Sequence, residues 1–435
     1  MNTDPYLMIS GDCHAGPPQP GFTEYFDPQY RKDFEDYWTS RPTADVARLA
    51  HAREMDKLAD LMAGFMVATG ADEAQAQSFA SNADRFMLGL FDSDIRKEML
   101  DEEGIVAEVI FPDGFCENHV PFSTWKNPVG TMAGHGRWPF ELRMAGARAY
   151  HRWLAEFCAK HPGQRLGVIY LPTALEMDRI VDEVQWCYDH GLRGGIMLPR
   201  IEDGVPGYHD TYYEPLWSIA EALDLPVTAH GGSSGSAPDA ATSFGPQEPI
   251  ASVLYFTEVQ YADRRALWMM CFGGVFDRFP KLKLVYAEAL SFWVPDVLRN
   301  LDEVYEMWNA RRLREQVEHK PSDYWKRNCA ITASFISRHE AEIRHEISLP
   351  NMMWASDYPH PEGTWPYTET CLQHSFHGLP EPEVRQILGL NALDVYSALD
   401  RRQLEPLAKK LGRSPETVYQ KNAQRPGDYL GMGMR

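Results

Sequence analysis

No stretch of the 435 residues approaches the roughly 20 consecutive apolar side chains that a membrane-spanning helix requires. Internal repeats, heptads and low-complexity tracts are missing as well. Positive charge is in short supply: 42 Lys and Arg stand against 62 Asp and Glu, a formal net charge of −20. A nucleic-acid binder must bring Lys and Arg to phosphates, so the charge argues against that partner, and against an anionic membrane surface as well. Solvated acid on helix faces accounts for the surplus. Paired cysteines are also lacking. The seven are odd in number, scattered without paired spacing, and several fall inside apolar runs. That suits reduced thiols in a cytoplasmic protein, not a disulfide framework. The opening Met1-Asn2-Thr3-Asp4-Pro5 has neither the basic start nor the apolar core of a secretory leader, so none is expected.

The chain does have enough apolar residues (44%, with 24% charged) for a large core. Short apolar runs recur, each followed by turn residues and then helical periodicity. They are Leu7 to Ser10, Ile105 to Phe111, Leu166 to Leu171, Gly195 to Leu198, Pro226 to Ala229, Leu282 to Ala287, Cys329 to Ala333 and Met352 to Ala355. Eight is the barrel number, and the alternation of strand and helix is plainest from Leu166 to Ala229. The fold class expected is α/β, a TIM (β/α)8 barrel over residues 1–400. A helical insertion is expected at about 43–96, between strands 1 and 2, where Leu49, Met55, Leu58, Leu61 and Met62 recur at helical spacing. Such an insertion commonly walls or covers the site. A helical tail, 401–435, is expected to pack on the barrel.

Chemistry gathers where these strands stop. Asp12 and His14 stand at i and i+2 on the first strand end, so both side chains point one way, either as two metal ligands on one rigid edge or as an acid capping the next turn beside a surface His. His230 ends the fifth strand before two glycines, which allow close approach to its ring. Glu288 closes the sixth, and a carboxylate there must be paired, protonated or metal-bound. Asp357 ends the eighth, with His360 and Glu362 just beyond as residues that could orient the ligands. Glu108 lies inside the second strand among apolar neighbours. It faces either the barrel interior as a ligand or outward to a helix partner. Because catalytic groups of a parallel barrel sit at the C-terminal strand ends, the expected metal set is Asp12, His14, Glu108, His230, Glu288 and Asp357, with Asp357, Glu288 and His230 catalytic. Cys13 should face away from its two neighbours. Arg193 either binds a substrate carboxylate or braces a strand, and bracing is the safer expectation. Trp38, Phe65, Phe115, Phe122, Trp125, Trp138, Trp293 and Trp365 fall in or near loops and the insertion, as core or as lining for a bulky, ring-bearing substrate.

Taken in order, Asp12-Cys13-His14, His230, Phe279-Pro280-Lys281-Leu282-Lys283-Leu284, Trp293-Val294-Pro295 and Trp354-Ala355-Ser356-Asp357-Tyr358-Pro359-His360 resemble the amidohydrolase superfamily. Within it they resemble the amidohydrolase-related branch that includes aminocarboxymuconate-semialdehyde decarboxylase. The resemblance covers most of residues 5–400 and implies a metal-bearing TIM barrel that hydrolyses or decarboxylates an organic small molecule. It matches His14, His230 and Asp357 to ligands. Asp12 stands where the first His of a His-x-His pair is usual, and Glu288 where the decarboxylases have histidine. Both departures exchange imidazole for carboxylate, and a Glu does not replace a His as acid, base or neutral ligand.

The chain is also similar to a small subgroup of nonheme di-iron monooxygenases acting on diterpenoid-type products, so oxygenation of a terpenoid-like or acyl substrate with O2 is the alternative. Two imidazoles and four carboxylates is the ratio of oxygen-activating di-iron sites. One or two divalent ions are implied, iron or zinc, with manganese also suited to hard oxygen ligands. A homodimer through the outer helices is an arrangement open to a barrel of this size.

Overall fold

The computed structural model describes residues 3–41, 44–68, 85–112, 118–123, 138–202, 204–231, 250–334, 336–360 and 363–421. Nine short strands run through it: β1 (Met8–His14), β2 (Ile105–Phe111), β3 (Arg165–Gly167), β4 (Ile169–Tyr170), β5 (Ile196–Met197), β6 (Val227–His230), β7 (Leu284–Ala287), β8 (Cys329–Ser334) and β9 (Met352–Ala355). Every pairing is parallel, in the orders β1-β2-β3 and β4-β5-β6-β7-β8-β9. The third expected strand is thus one extended segment whose two halves pair on opposite sides. Val168 N–H reaches the Ile110 carbonyl at 2.9 Å, and Ile169 N–H the Gly195 carbonyl at 2.9 Å.

The other seam joins the ends of the chain. Asp357 N–H donates to the Asp12 carbonyl at 3.1 Å and His14 N–H to the Tyr358 carbonyl at 2.7 Å. Strands pair all the way round, as a TIM barrel requires.

Two buried clusters separate along the pleat. Ile9, Ala107, Val109, Phe111, Leu166, Val168, Met197, Val285, Ala287, Ala330 and Met353 form the inner one. Alternate residues such as Met8, Ile110, Ile169, Ile196, Val227, Leu284, Tyr286, Ile331 and Trp354 belong to the outer one, packed against helices. Ile180, Val184 and Cys187 supply the buried stripe of the helix Met177–Asp189. That helix ends at Gly191, whose φ of +91° turns the chain back as a C-terminal glycine does.

Between β1 and β2 lie Gln19–Tyr25, Pro28–Tyr30, Arg31–Thr39, Ala44–His51, Met55–Ala68 and Ser93–Glu102, all helical. Helical turns therefore begin well before residue 43. Pro20 and Pro28 open the first two, where proline's missing N–H costs nothing. The helix Arg401–Leu411 places Leu404 and Ala408 in the inner cluster beside Leu7, Val106 and Tyr396. Among the described residues, no helix is long and apolar enough to cross a membrane.

Candidate metal centre

Four strand ends bring Asp12, His14, His230, Glu288 and Asp357 to one place, and His360 joins them from the turn after β9. Their donor atoms form two overlapping groups within 4.8 Å: Asp12, His14, His230 and Glu288, then His14, Glu288, Asp357 and His360. His14 Nε2 stands 3.6 Å from Asp12 Oδ1, 3.6 Å from Glu288 Oε2 and 3.1 Å from Asp357 Oδ1. His230 Nε2 stands 3.5 Å from both Asp12 Oδ1 and Glu288 Oε2. A register shift in β1 between Ser10 and Cys13 lets Asp12 and His14 both face inward.

Each imidazole is aimed by its other nitrogen. His14 Nδ1 bonds the Pro112 carbonyl at 3.0 Å and His230 Nδ1 the Gly231 carbonyl at 3.0 Å, leaving both Nε2 atoms directed at the centre. His360 Nδ1 lies 3.1 Å from Asp357 Oδ1, and its ring stacks on His14 at 4.0 Å. Ser334 Oγ donates to Asp12 Oδ2 at 3.0 Å, leaving Oδ1 for the centre. Glu288 and Asp357 both hold left-handed backbone, φ +48° and +56°. That strain in non-glycine residues is tolerated where function demands a particular aim.

The electrostatics ask for a cation. Burial and His360 disfavour a charged His14, yet Asp357, Glu288 and Asp12 outweigh them and push its pKa up to about 10. Burial opposes charge on His230 too, and Asp12 and Glu288 still raise it. Burial acts against the ionised Asp357, but His360 and His14 hold it well below the usual carboxylate range. Among the described residues, Asp12 Oδ1, His14 Nε2 and both Asp357 oxygens are buried without a hydrogen bond. Buried donors left open in this way fit a divalent ion. Glu288 is the open member, its side chain 30% exposed against none for Asp12 and Asp357.

Glu108 is not among them, and the expectation of a sixth ligand there is corrected. Ala107, Val109 and Phe111 take the inward positions, so Glu108 faces outward. There Arg96 donates to its carboxylate at 2.7 and 3.0 Å, and Arg165 at 3.1 Å. With His360 in its place, the convergent set is three imidazoles and three carboxylates. The two-to-four ratio that pointed toward di-iron sites is therefore not assembled. Glu362 lies outside the described residues.

Cys13 faces away, its Sγ near Ser10 Oγ at 3.2 Å and its pKa raised to about 12 by burial. Arg193 braces its own neighbourhood, bonding the Tyr188 and Leu192 carbonyls. Phe122 and Trp138, which follow β2, pack with Tyr37 of the helix Arg31–Thr39 in an aromatic cluster. Trp293 and Trp365 are buried, Trp38 is half-buried, and the side chains of Phe65, Phe115 and Trp125 fall outside the described set. Ser334 and Arg96 were not anticipated. Ser334 ends β8 and could have been found by the strand-end rule, whereas Arg96 carries no local signal.

A parallel barrel with acids and imidazoles on its C-terminal rim defines a class, the metal-centred TIM-barrel enzymes. The chain belongs to the amidohydrolase family, whose model matches residues 127–398. It is similar in structure to an amidohydrolase from Mycobacterium avium subsp. paratuberculosis K-10 (TM-score 0.64, 20% identity, 91% of this chain and 100% of that one). It is similar also to 5-carboxyvanillate decarboxylase from Sphingomonas paucimobilis (0.59, 18%, 90% and 98%). A third likeness is 5-carboxyvanillate decarboxylase from Novosphingobium aromaticivorans DSM 12444, complexed with manganese and 4-hydroxy-3-methoxy-5-nitrobenzoic acid (0.58, 16%, 90% and 96%). At these identities the likeness is one of fold. No curated protein matches the sequence significantly.

Proposed function

We propose that this chain is a metal-dependent enzyme that removes a carboxylate from a bulky, ring-bearing organic acid, with hydrolysis by the same centre as the neighbouring chemistry. The observation that carries the reading is that Asp12, His14, His230, Glu288 and Asp357 gather in two overlapping groups that share His14 and Glu288. The manganese and aromatic-acid ligand of the Novosphingobium decarboxylase support the metal and the substrate class.

Asp12, His14, His230 and Asp357 would hold the ion, with Glu288 able to reach it. When bound, a divalent ion supplies Lewis acidity toward a substrate oxygen and acidifies a coordinated water toward neutral pH. The protein's own groups do the rest. Glu288, the exposed member, meets the incoming substrate. Asp357 with His360 forms a pair in which the carboxylate steadies a proton held at His360 Nδ1. In decarboxylation that proton passes to the ring carbon bearing the carboxylate. The carbon–carboxylate bond then breaks, and its electron pair returns to the ring as carbon dioxide departs. In hydrolysis the same pair takes the proton of the attacking water.

The test is to purify the chain under argon, measure its metals, and follow carbon dioxide release from hydroxylated benzoic acids with and without oxygen. Metal-dependent, oxygen-independent release supports the reading. Two irons per chain with substrate-coupled oxygen consumption would replace it with monooxygenation. Metal-dependent hydrolysis without carbon dioxide would move the chemistry from carbon–carbon to acyl cleavage.

A further inference from the structure

We propose that Arg96, clamped by Glu108, is a positioning residue that fixes the two ligand-bearing strand ends of the β1–β9 seam against each other. The inference rests on the metal reading above and assigns a role to charges that the reading does not use. Arg96 is fully buried, and Glu108 is 1% exposed. One guanidinium does four things. Its Nη1 donates to the His14 carbonyl at 2.8 Å and to the Gly89 carbonyl at 3.0 Å. Its Nε and Nη2 grip Glu108 on β2. Its plane lies 4.9 Å from the ring centre of Tyr358, the residue after Asp357.

The seam it touches is the one on which the centre depends. His14 N–H bonds the Tyr358 carbonyl, Asp357 N–H bonds the Asp12 carbonyl, and His14 Nδ1 bonds Pro112 just past β2. Displacing Arg96 would free the His14 peptide and the Tyr358 ring together. Arg165 holds the far side of Glu108 and anchors to the Ser93 hydroxyl at 2.6 Å and the Ser93 carbonyl at 2.9 Å. Two arginines against one glutamate leave a net positive charge beside a cage of three carboxylates. Buried charges of this kind are poor providers of stability compared with apolar packing, which makes a geometric role the better account of their retention. Lysine could not substitute, because a point donor cannot hold a carboxylate and a carbonyl in two directions at once.

The experiment titrates manganese into the metal-stripped full-length chain, by calorimetry and by the EPR spectrum of the bound ion, for wild type, Arg96→Lys, Glu108→Gln and Val184→Ala. Val184 is buried in a helix far along the chain from the clamp and reports destabilisation alone. The expected result is a loss of about 10- to 100-fold in manganese affinity for Arg96→Lys and Glu108→Gln, with an altered spectrum. Val184→Ala should keep its affinity within about twofold despite a lower unfolding midpoint. If Arg96→Lys does not accumulate as folded protein, Glu108→Gln decides by the same readouts. Wild-type affinity and spectrum in the clamp variants, or an equal loss in Val184→Ala, would overturn the proposal. A wild-type chain that takes up none of manganese, iron or zinc refutes the metal reading itself.

Discussion

Gly231→Ala displaces one wall of the centre without replacing any of the candidate ligands. A methyl group at this position would lie 2.6 Å from the Glu288 carbonyl oxygen and 3.2 Å from Glu288 Cβ. Ordinary contact would need about 0.8 Å more. The carbonyl has little freedom to yield. Glu288 is already left-handed at φ +48°, and Gly231 N–H is bonded to the Ala287 carbonyl at 3.0 Å, zipping β6 to β7. Relief must part the strand ends carrying His230 and Glu288, whose Nε2 and Oε2 are 3.5 Å apart.

Overpacking of this kind costs about 1–3 kcal/mol of stability. Disturbing the support of metal ligands costs about 10- to 100-fold in metal affinity, up to about 2.7 kcal/mol. Manganese titration of the stripped chain and urea unfolding read the two effects separately. Gly64→Ala is the control, since nothing among the described residues lies within 4 Å of its added methyl. It should be neutral or stabilising by up to about 1 kcal/mol. A Gly231→Ala chain that binds manganese like wild type would refute the claim that these strand ends set the site.

Ser334→Ala removes the 3.0 Å hydrogen bond that orients Asp12. A bond to a charged group is worth about 1.5–3 kcal/mol, so metal affinity measured by calorimetry should fall about 10-fold or more, and Ser334→Thr should restore most of it. Stripping the ion with a chelator should lower the unfolding midpoint, and re-adding manganese at about 100 times its Kd should return about 2.7 kcal/mol; an unchanged midpoint would count against a bound cation. Away from the centre, Glu183 accepts from His151 at 2.8 Å and Arg148 at 2.9 Å. Burial disfavours its charge, but His151 and Arg148 outweigh it and hold the carboxyl down at about 2, against an ordinary 4.5. The depressed pKa stabilises the fold fully above pH 4.5, by about 3 kcal/mol, and that contribution is lost as pH falls through 2. Glu183→Gln should therefore cost stability in urea unfolding at pH 7 and lose its effect toward pH 2.

The apolar runs made the strands legible because burial on both faces leaves an unbroken hydrophobic signature, bounded by turns. Seven runs reappear as strands, and the third divides at Val168 between two neighbours. Asp12, His14, His230, Glu288 and Asp357 were legible because a polar group closing an apolar strand is costly unless it has a task. Glu108, charged inside its strand and not at its end, was read as either a ligand or an outward pair and was counted with the ligands. What separates it from Asp357 is the side of the pleat it occupies and an arginine twelve positions earlier in the chain.

What the linear order determined, then, was the repeating alternation of strand and helix and the chemical types waiting at the strand ends. Tertiary structure alone decided which of them meet. The bulge in β1 turns Asp12 and His14 inward together, the turn after β9 brings His360 onto His14, and Arg96 crosses from the insertion to take Glu108 out of the set. Side-chain direction and long-range pairing depend on register and closure, and those are properties of the assembled ring.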